Sequence, residues 1–297
     1  MAERRISMKT AWLALALAWL AAAASAMAAA DAAGGPRVVS LAPSLTELVF
    51  RLGKGSLLVG RSAHCNQPAA ARAVPVVGDF GSPTLERLAV ARATLVVATS
   101  LKDPAAAESL RGMGIRLLLL PCESFEDYCR AVTQLGEALG CPEAAAAEVA
   151  RIQAGLDRFA RLAAAVPPER RPRVYLEVWG SPLMTVGGRS FLNQMIASAG
   201  GRNVAAAVDK DYFTCSAEWV LQAAPEVILC PAMGAGQAAD VLARPGWAAV
   251  PAVRARRIYG GLDEALLYRL GPRLLEGIAM IRACLYPEAA APGGAAP

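Results

Sequence analysis

Residues 143–165 read EAAAAEVARIQAGLDRFARLAAA. The stretch has no proline and one glycine, and Val149, Ile152, Leu156, Phe159 and Leu162 recur at helical spacing. This pattern predicts one uninterrupted helix that would span about 35 Å at 1.5 Å rise per residue, roughly a domain diameter. Cys141-Pro142 marks its beginning, and Pro167-Pro168 followed by Glu169-Arg170-Arg171 marks its end.

Alternating short elements flank this helix. On the N-terminal side, Arg37–Leu41, Leu57–Gly60, Leu95–Ala98 and Leu117–Leu120 read as buried strands. Helical patterns at Leu45–Leu52, Leu85–Ala91 and Ala105–Met113 fall between them, and Arg61–Pro68 is a polar loop. On the C-terminal side, strand Val174–Val178 leads to the turn Gly180-Ser181-Pro182, helix Phe191–Ala199 and strand Val227–Leu229. Strands alternating with helices predict α/β lobes with mainly parallel sheets, here two of them joined by a rigid helical strut.

A local repeat supports two lobes. Thr84-Leu85-Glu86-Arg87-Leu88 leads to strand Leu95-Val96-Val97, and Ser216-Ala217-Glu218-Trp219-Val220 leads to Val227-Ile228-Leu229. Each half is expected to carry a hydroxyl N-cap and a glutamate in the first helical turn. Either glutamate alone is accounted for by the helix macrodipole, worth about 0.3–1 kcal/mol. As a matched pair, Glu86 and Glu218 also offer one exposed carboxylate per lobe to a two-fold symmetric, basic partner.

The chain has 297 residues, a net charge of +5 and 55% hydrophobic residues. Alanine accounts for much of that hydropathy without supplying a membrane-spanning face. Beyond the N-terminus no apolar run approaches the roughly 20 residues that cross a bilayer. Arg4, Arg5 and Lys9, the apolar run Trp12–Ala24 and the small residues near Ala26 predict a secretory signal peptide over residues 1–26. Its cleavage lowers the net charge by two, too small a bias to favour nucleic acid. The first cysteine is Cys65, so a lipoprotein is not expected, and the mature chain is expected as a soluble periplasmic monomer.

Seven cysteines, an odd number, leave at least one thiol free or paired between chains, and no C-x-x-C suggests a redox or zinc site. Buried free thiols are expected for most. Enzyme motifs are missing: no G-x-S-x-G occurs, and one histidine cannot make H-E-x-x-H. Gly53-Lys54-Gly55-Ser56 lacks the P-loop spacing. No catalytic residue, intrinsic cofactor or resident metal is expected.

Arg37-Val-Val-Ser-Leu-Ala-Pro-Ser-Leu-Thr-Glu47 resembles the opening strand and loop of periplasmic binding proteins that serve ABC importers of cobalamin, ferric siderophores and haem. His64–Pro68, Val77–Phe80, Thr84–Glu86, Trp179–Thr185, Ser190–Leu192, Ala199–Asn203, Tyr212, Ser216–Glu218 and Arg269–Arg273 follow in that family's order. The resemblance runs from Arg37 to Leu285. It implies an N-terminal lobe over 37–142, a connecting helix over 143–166, a C-terminal lobe over 172–286 and a flexible tail over 287–297. It further implies an interlobe ligand cleft, limited hinge motion and docking of Glu86 and Glu218 onto arginines of a permease dimer in the inner membrane.

Loops leaving the predicted strands bring Ser44, His64, Phe80, Trp179, Tyr212 and Arg269 toward such a cleft. A flat, largely apolar ligand such as a corrinoid suits Phe80, Trp179 and Tyr212. Each could instead be cleft-edge packing, and Arg269 could pair with a ligand anion or with Asp263 or Glu264. Cobalamin binders of the family often carry an aromatic where His64 stands. The imidazole could approach a metal centre or simply hydrogen-bond to its neighbours. The resemblance therefore implies capture of a metal chelate, a corrinoid first and a ferric siderophore or haem as alternatives. A periplasmic chelatase or metallo-tetrapyrrole sensor on the same fold is the alternative of another class.

Overall fold

Short, β-branched runs at the N-terminal side pair as a parallel sheet. The computed structural model describes residues 35–231 and 237–290; the expected signal segment 1–26 and the last residues of the expected tail lie outside them. Strands β1 (Val38–Ser40), β2 (Leu58–Ser62), β3 (Val76–Asp79), β4 (Ser82–Pro83), β5 (Leu95–Ala98) and β6 (Arg116–Leu119) form this sheet. Their order is β4-β3-β2-β1-β5-β6, parallel throughout except for the β3–β4 hairpin. All of β5 is buried, as expected for a strand covered on both faces. Helices α1 (Pro43–Arg51), α2 (Leu85–Val90) and α3 (Ala105–Gly112) make the crossovers.

The chain leaves β1 toward β2 on one side and later returns as β5 on the other. That reversal opens a crevice at the carboxyl ends of β1 and β5.

A helix not anticipated above, α4 (Phe125–Ala138), precedes the strut. Ser124 Oγ accepts the Asp127 N–H at 3.1 Å, and Tyr128, Ala131, Val132 and Leu135 form its buried stripe. The strut itself, α5 (Pro142–Ala164), has 23 residues and starts one residue earlier than the pattern predicts. Proline is accommodated in the first turn because its missing N–H would have no helical partner there.

The C-terminal sheet contains β7 (Arg173–Gly180), β8 (Leu183–Val186), β9 (Arg202–Asn203), β10 (Tyr212–Thr214), β11 (Val227–Cys230) and β12 (Ile258–Gly260). Its path is β10-β8-β7-β11-β12, with β9 also paired to β7. The β7–β8 and β8–β10 pairings are antiparallel and the rest parallel, so the two sheets are mixed but mainly parallel. Gly180-Ser181-Pro182, expected as a turn, lies at the bend of the β7–β8 hairpin. Helices α6 (Phe191–Ser198), α7 (Ala217–Ala223), α8 (Gln237–Ala243), α9 (Pro251–Arg254), α10 (Glu264–Leu267) and α11 (Leu274–Leu285) complete the lobe, and Pro287–Ala290 adds a helical turn.

One apolar cluster runs through both lobes. Leu45 and Val97 from the first, Tyr128 of α4, Ile152 and Phe159 of α5, and Leu176 and Ile278 from the second all belong to it. The strut is therefore packed along one face rather than free-standing, although Leu162 of its apolar repeat is exposed. At Gly155 a Cβ would run into the Leu275 side chain, so the glycine lets α5 lie close to α11. Satellite clusters under α2 and α3, and around Trp247, complete the core. All seven cysteines are free, with Cys65, Cys141, Cys230 and Cys284 buried. Among the described residues no helix is long and apolar enough to cross a membrane.

Candidate functional site

The crevice at the carboxyl ends of the N-terminal strands holds a cavity of about 360 Å3 that the second lobe closes. Pro43 and Ser44 follow β1, His64 follows β2, Phe80 follows β3, Thr99 follows β5 and Cys122 follows β6. From the opposite side come Phe191, at the start of α6, and Tyr268, Arg269 and Leu270, between α10 and α11. The lobes approach closely here: a Cβ on Gly271 would lie 3.2 Å from Ser44 Cβ. Four of the six residues expected to bind ligand, Ser44, His64, Phe80 and Arg269, thus line one cavity.

The other two stand apart from that lining. Trp179 is 49% exposed near the end of β7, its indole N–H donating to Ser181 O at 2.8 Å. Tyr212 is 41% exposed on edge strand β10 and lies within electrostatic reach of Tyr268. Antiparallel pairings, which the helix-strand alternation did not foreshadow, carry both: Trp179 stands at the end of β7 where it turns into β8, and Tyr212 lies on the edge strand β10. Residues missed from the sequence are Phe191, Tyr268, Cys122 and Thr99. Tyr268 adjoins Arg269, and Phe191 opens a helix just after the Ser190 cap, so both had a local signal.

The N-terminal rim is pinned by polar contacts. Buried Cys65 places its sulfur 3.1 Å from Ser62 Oγ, which anchors the His64 loop. His64 Nε2 lies 2.8 Å from Asp79 Oδ1, and the same oxygen accepts the Phe80 N–H at 2.8 Å. That backbone hydrogen bond, helped by His64 and by Lys102 at 3.9 Å, holds the Asp79 carboxyl below its ordinary value. An ionised Asp79 fixes one imidazole nitrogen as donor and leaves the other as a potential ligand or acceptor.

On the opposite wall, the Tyr268 hydroxyl is buried with no hydrogen-bond partner among the described residues. Burial pushes its pKa up, so it remains a neutral phenol able to donate. An unmet buried donor costs about 1–3 kcal/mol. Burial also pushes the Cys122 thiol up to about 12, making a thiolate ligand unfavourable. Arg269 is the one guanidinium among the lining residues; it donates to Asn66 Oδ1 at 2.7 Å and lies 3.7 Å from Glu47. Of the alternatives left open for Arg269, pairing with Asp263 or Glu264 is not observed. Instead Arg273 comes within 3.8 Å of Asp263.

Glu86 and Glu218 are both exposed in the first turns of α2 and α7. Ser216 caps α7 through the Trp219 N–H at 3.2 Å, whereas Thr84 makes no side-chain cap. Hydrogen bonds from the Glu218 backbone N–H and from Ser216 hold the Glu218 carboxyl below its ordinary value. A larger groove of about 790 Å3 lies at the other end of the first sheet, where Leu58 and Val76 begin β2 and β3. Open sheets bind ligands at the carboxyl ends of their strands, so the interlobe cavity is the better candidate. No group of three or more metal-ligating side chains occurs among the described residues.

A family model described as a periplasmic binding protein matches residues 38–265. A vitamin B12-binding protein of Photorhabdus laumondii is 29% identical over 240 residues, covering 80% of this chain and 84% of that protein. An uncharacterized ABC transporter substrate-binding lipoprotein of Bacillus subtilis, YvrC, is 28% identical over 257 residues, 85% of this chain and 80% of YvrC. The solved periplasmic haem-binding protein BhuT, in complex with two haems, superposes with a TM-score of 0.76 at 30% identity. That match covers 85% of this chain and all of BhuT.

Proposed function

Because this chain belongs to the periplasmic binding protein family of ABC importers, we propose that it captures a metal-bearing macrocycle, a corrinoid such as cobalamin, in the periplasm. It would deliver that cargo to a permease dimer in the inner membrane. Members of the family are non-catalytic substrate-binding components that work outside the cytoplasm with ABC transporter parts. A chelatase on this fold is therefore set aside. A lipid-free periplasmic monomer is part of the same proposal. The relative YvrC is a lipoprotein; the position of the first cysteine, Cys65, well after the expected cleavage site, and its burial support the lipid-free reading.

The observation that carries the ligand class is the composition of the interlobe cavity. Phe80, Phe191 and Tyr268 supply aromatic surface, and a single guanidinium supplies charge. A ferric catecholate siderophore, a compact polyanion, calls for several converging cations. A corrinoid, whose periphery is mostly neutral amides, needs apolar walls and a few donors. At about 360 Å3 the cavity lies near the small end of ligand sites, so a macrocycle would insert one edge and stand partly outside. Trp179 and Tyr212, exposed at the rim of the second lobe, are proposed to meet the protruding part.

Haem is the second reading. His64, oriented by Asp79, offers a nitrogen donor, and Tyr268 stands on the facing wall. Vitamin B12-binding and haem-binding relatives resemble this chain to a similar degree. Isothermal titration with cobalamin, cobinamide, haem and ferric siderophores tests both. Binding of a corrinoid supports the first reading, haem alone selects the second, and failure of every probe overturns the proposal. For haem, a Soret band unchanged by His64→Ala would remove His64 as a metal ligand.

A further inference from the structure

Arginines of the C-terminal lobe reach across to the N-terminal lobe, and one of them lines the cavity. Arg269 Nη1, in the C-terminal lobe, donates to Asn66 Oδ1, in the N-terminal lobe, at 2.7 Å. The close partner of the cavity's one guanidinium is thus a neutral amide. Its carboxylate neighbour, Glu47, is 3.7 Å away and already engaged, because Arg273 Nε and Nη2 donate to both Glu47 oxygens at 2.8 and 3.0 Å. A guanidinium has five donors in a planar fork. Arg269 uses one of them on Asn66, while Glu47 holds it mainly through charge.

Glu47 makes a fixed reference point for that hold. It is 7% exposed, belongs to α1 of the N-terminal lobe, and draws both arginines from the other lobe. A salt bridge at 3.7 Å keeps Arg269 near the cavity without saturating it. Hydrogen bonds between two charged partners are roughly twice as strong as those to a neutral acceptor. An anionic oxygen entering the cavity would therefore offer Arg269 a better acceptor than Asn66 does. Asn66 is exposed, so its released amide would pass to water at little cost.

We propose that Asn66 is a neutral placeholder for an anionic oxygen of the ligand, and that Glu47 is the positioning residue that keeps Arg269 within reach of it. The site then selects macrocycles bearing a carboxylate or phosphodiester over their neutral counterparts. This rests on the macrocycle reading above and adds charge selectivity to it.

Paired probes separate the two. Cobalamin carries a phosphodiester that cobinamide lacks, and haem carries carboxylates that its dimethyl ester lacks. Asn66→Asp places a permanent competing carboxylate on Arg269. It is expected to weaken binding of cobalamin or haem at least tenfold while changing the member that lacks the anionic oxygen less than threefold. Asn66→Ala removes the competitor and should tighten the anionic member two- to fivefold. Glu47→Gln should weaken the anionic member selectively. Because that variant disturbs a buried pair, the Asn66 variants decide the matter if it folds poorly. Equal shifts for both members of a pair, or weaker anionic binding by Asn66→Ala, would overturn the placeholder and leave the importer reading intact. No binding of any of the four probes by the unsubstituted protein would overturn both.

Discussion

Glu177 lies in β7 with no solvent exposure, and Arg244 closes on it with two hydrogen bonds of 2.8 and 3.0 Å. The same guanidinium sits 4.3 Å over the Trp247 ring, which Tyr175 meets edge-on at 6.2 Å. A buried carboxylate is tolerated only while it is paired, since its desolvation costs several kcal/mol. Arg244→Ala removes both of these hydrogen bonds and the compensating charge from buried Glu177 and opens the space over Trp247, and is expected to destabilise the protein by about 3–5 kcal/mol in urea unfolding. In the sequence, Glu177 is readable as one position of an apolar strand. Nothing local identifies its partner 67 residues onward, and the same holds for Asn66 and Arg269, which are 203 residues apart. Residues of this kind announce their chemistry but not their company.

The strut ties the lobes together through Glu148 of α5. Its carboxylate accepts from Arg51 of α1 at 2.9 Å and from Arg151 at 2.8 and 2.6 Å, and Arg151 also reaches Pro272 O at 2.6 Å. Burial alone would raise the Glu148 pKa, but the Arg151 and Arg51 guanidiniums outweigh it and hold the carboxyl below its ordinary 4.5. A carboxyl depressed in the folded state stabilises the fold above about pH 4.5 and loses that contribution as pH falls through the lower folded value. Thermal unfolding followed from pH 7 to pH 2 should therefore show a steeper acid decline in the unsubstituted protein than in Glu148→Gln, which is expected to be less stable at pH 7. Arginines serve the helix ends as well. Arg171 donates to Ala163 O and Val166 O at the end of α5, and Arg282 to Ala199 O at the end of α6. Part of the positive charge thus answers helix C-termini, which fits a net charge that gives no case for nucleic acid.

Over the whole molecule, two mixed, mainly parallel sheets face each other across a cavity, and α5 runs in the apolar cluster common to both. A connecting helix packed along one face, with Ile152 fully buried, is expected to resist the wide hinge opening that flexible connecting strands would allow. In the proposed function, delivery of cargo depends on docking, for which Glu86 and Glu218 are the proposed contacts. Replacing both with Ala is expected to abolish ligand uptake by cells while leaving affinity in solution within about twofold, because neither residue lines the cavity. Lost affinity with normal uptake would reverse that assignment. Transport assays beside titration of the purified variant make the comparison.

By itself the sequence determined, from apolar periodicity, the 23-residue strut, the buried β5 and β11, and the helix-then-strand repeat behind Glu86 and Glu218, although the equally periodic α4 went unread. Periodicity is a local property, set within a few residues by which face must leave water. Tertiary structure alone decided that β8 and β10 run antiparallel, that Trp179 and Tyr212 therefore stand at a rim, and that Tyr268 and Phe191 join His64 and Phe80 across the cleft. It likewise decided that Arg269 meets Asn66 rather than the acidic residues beside it in the chain. Strand direction at a sheet edge and pairing across a cleft depend on contacts between distant segments, and no periodicity encodes these.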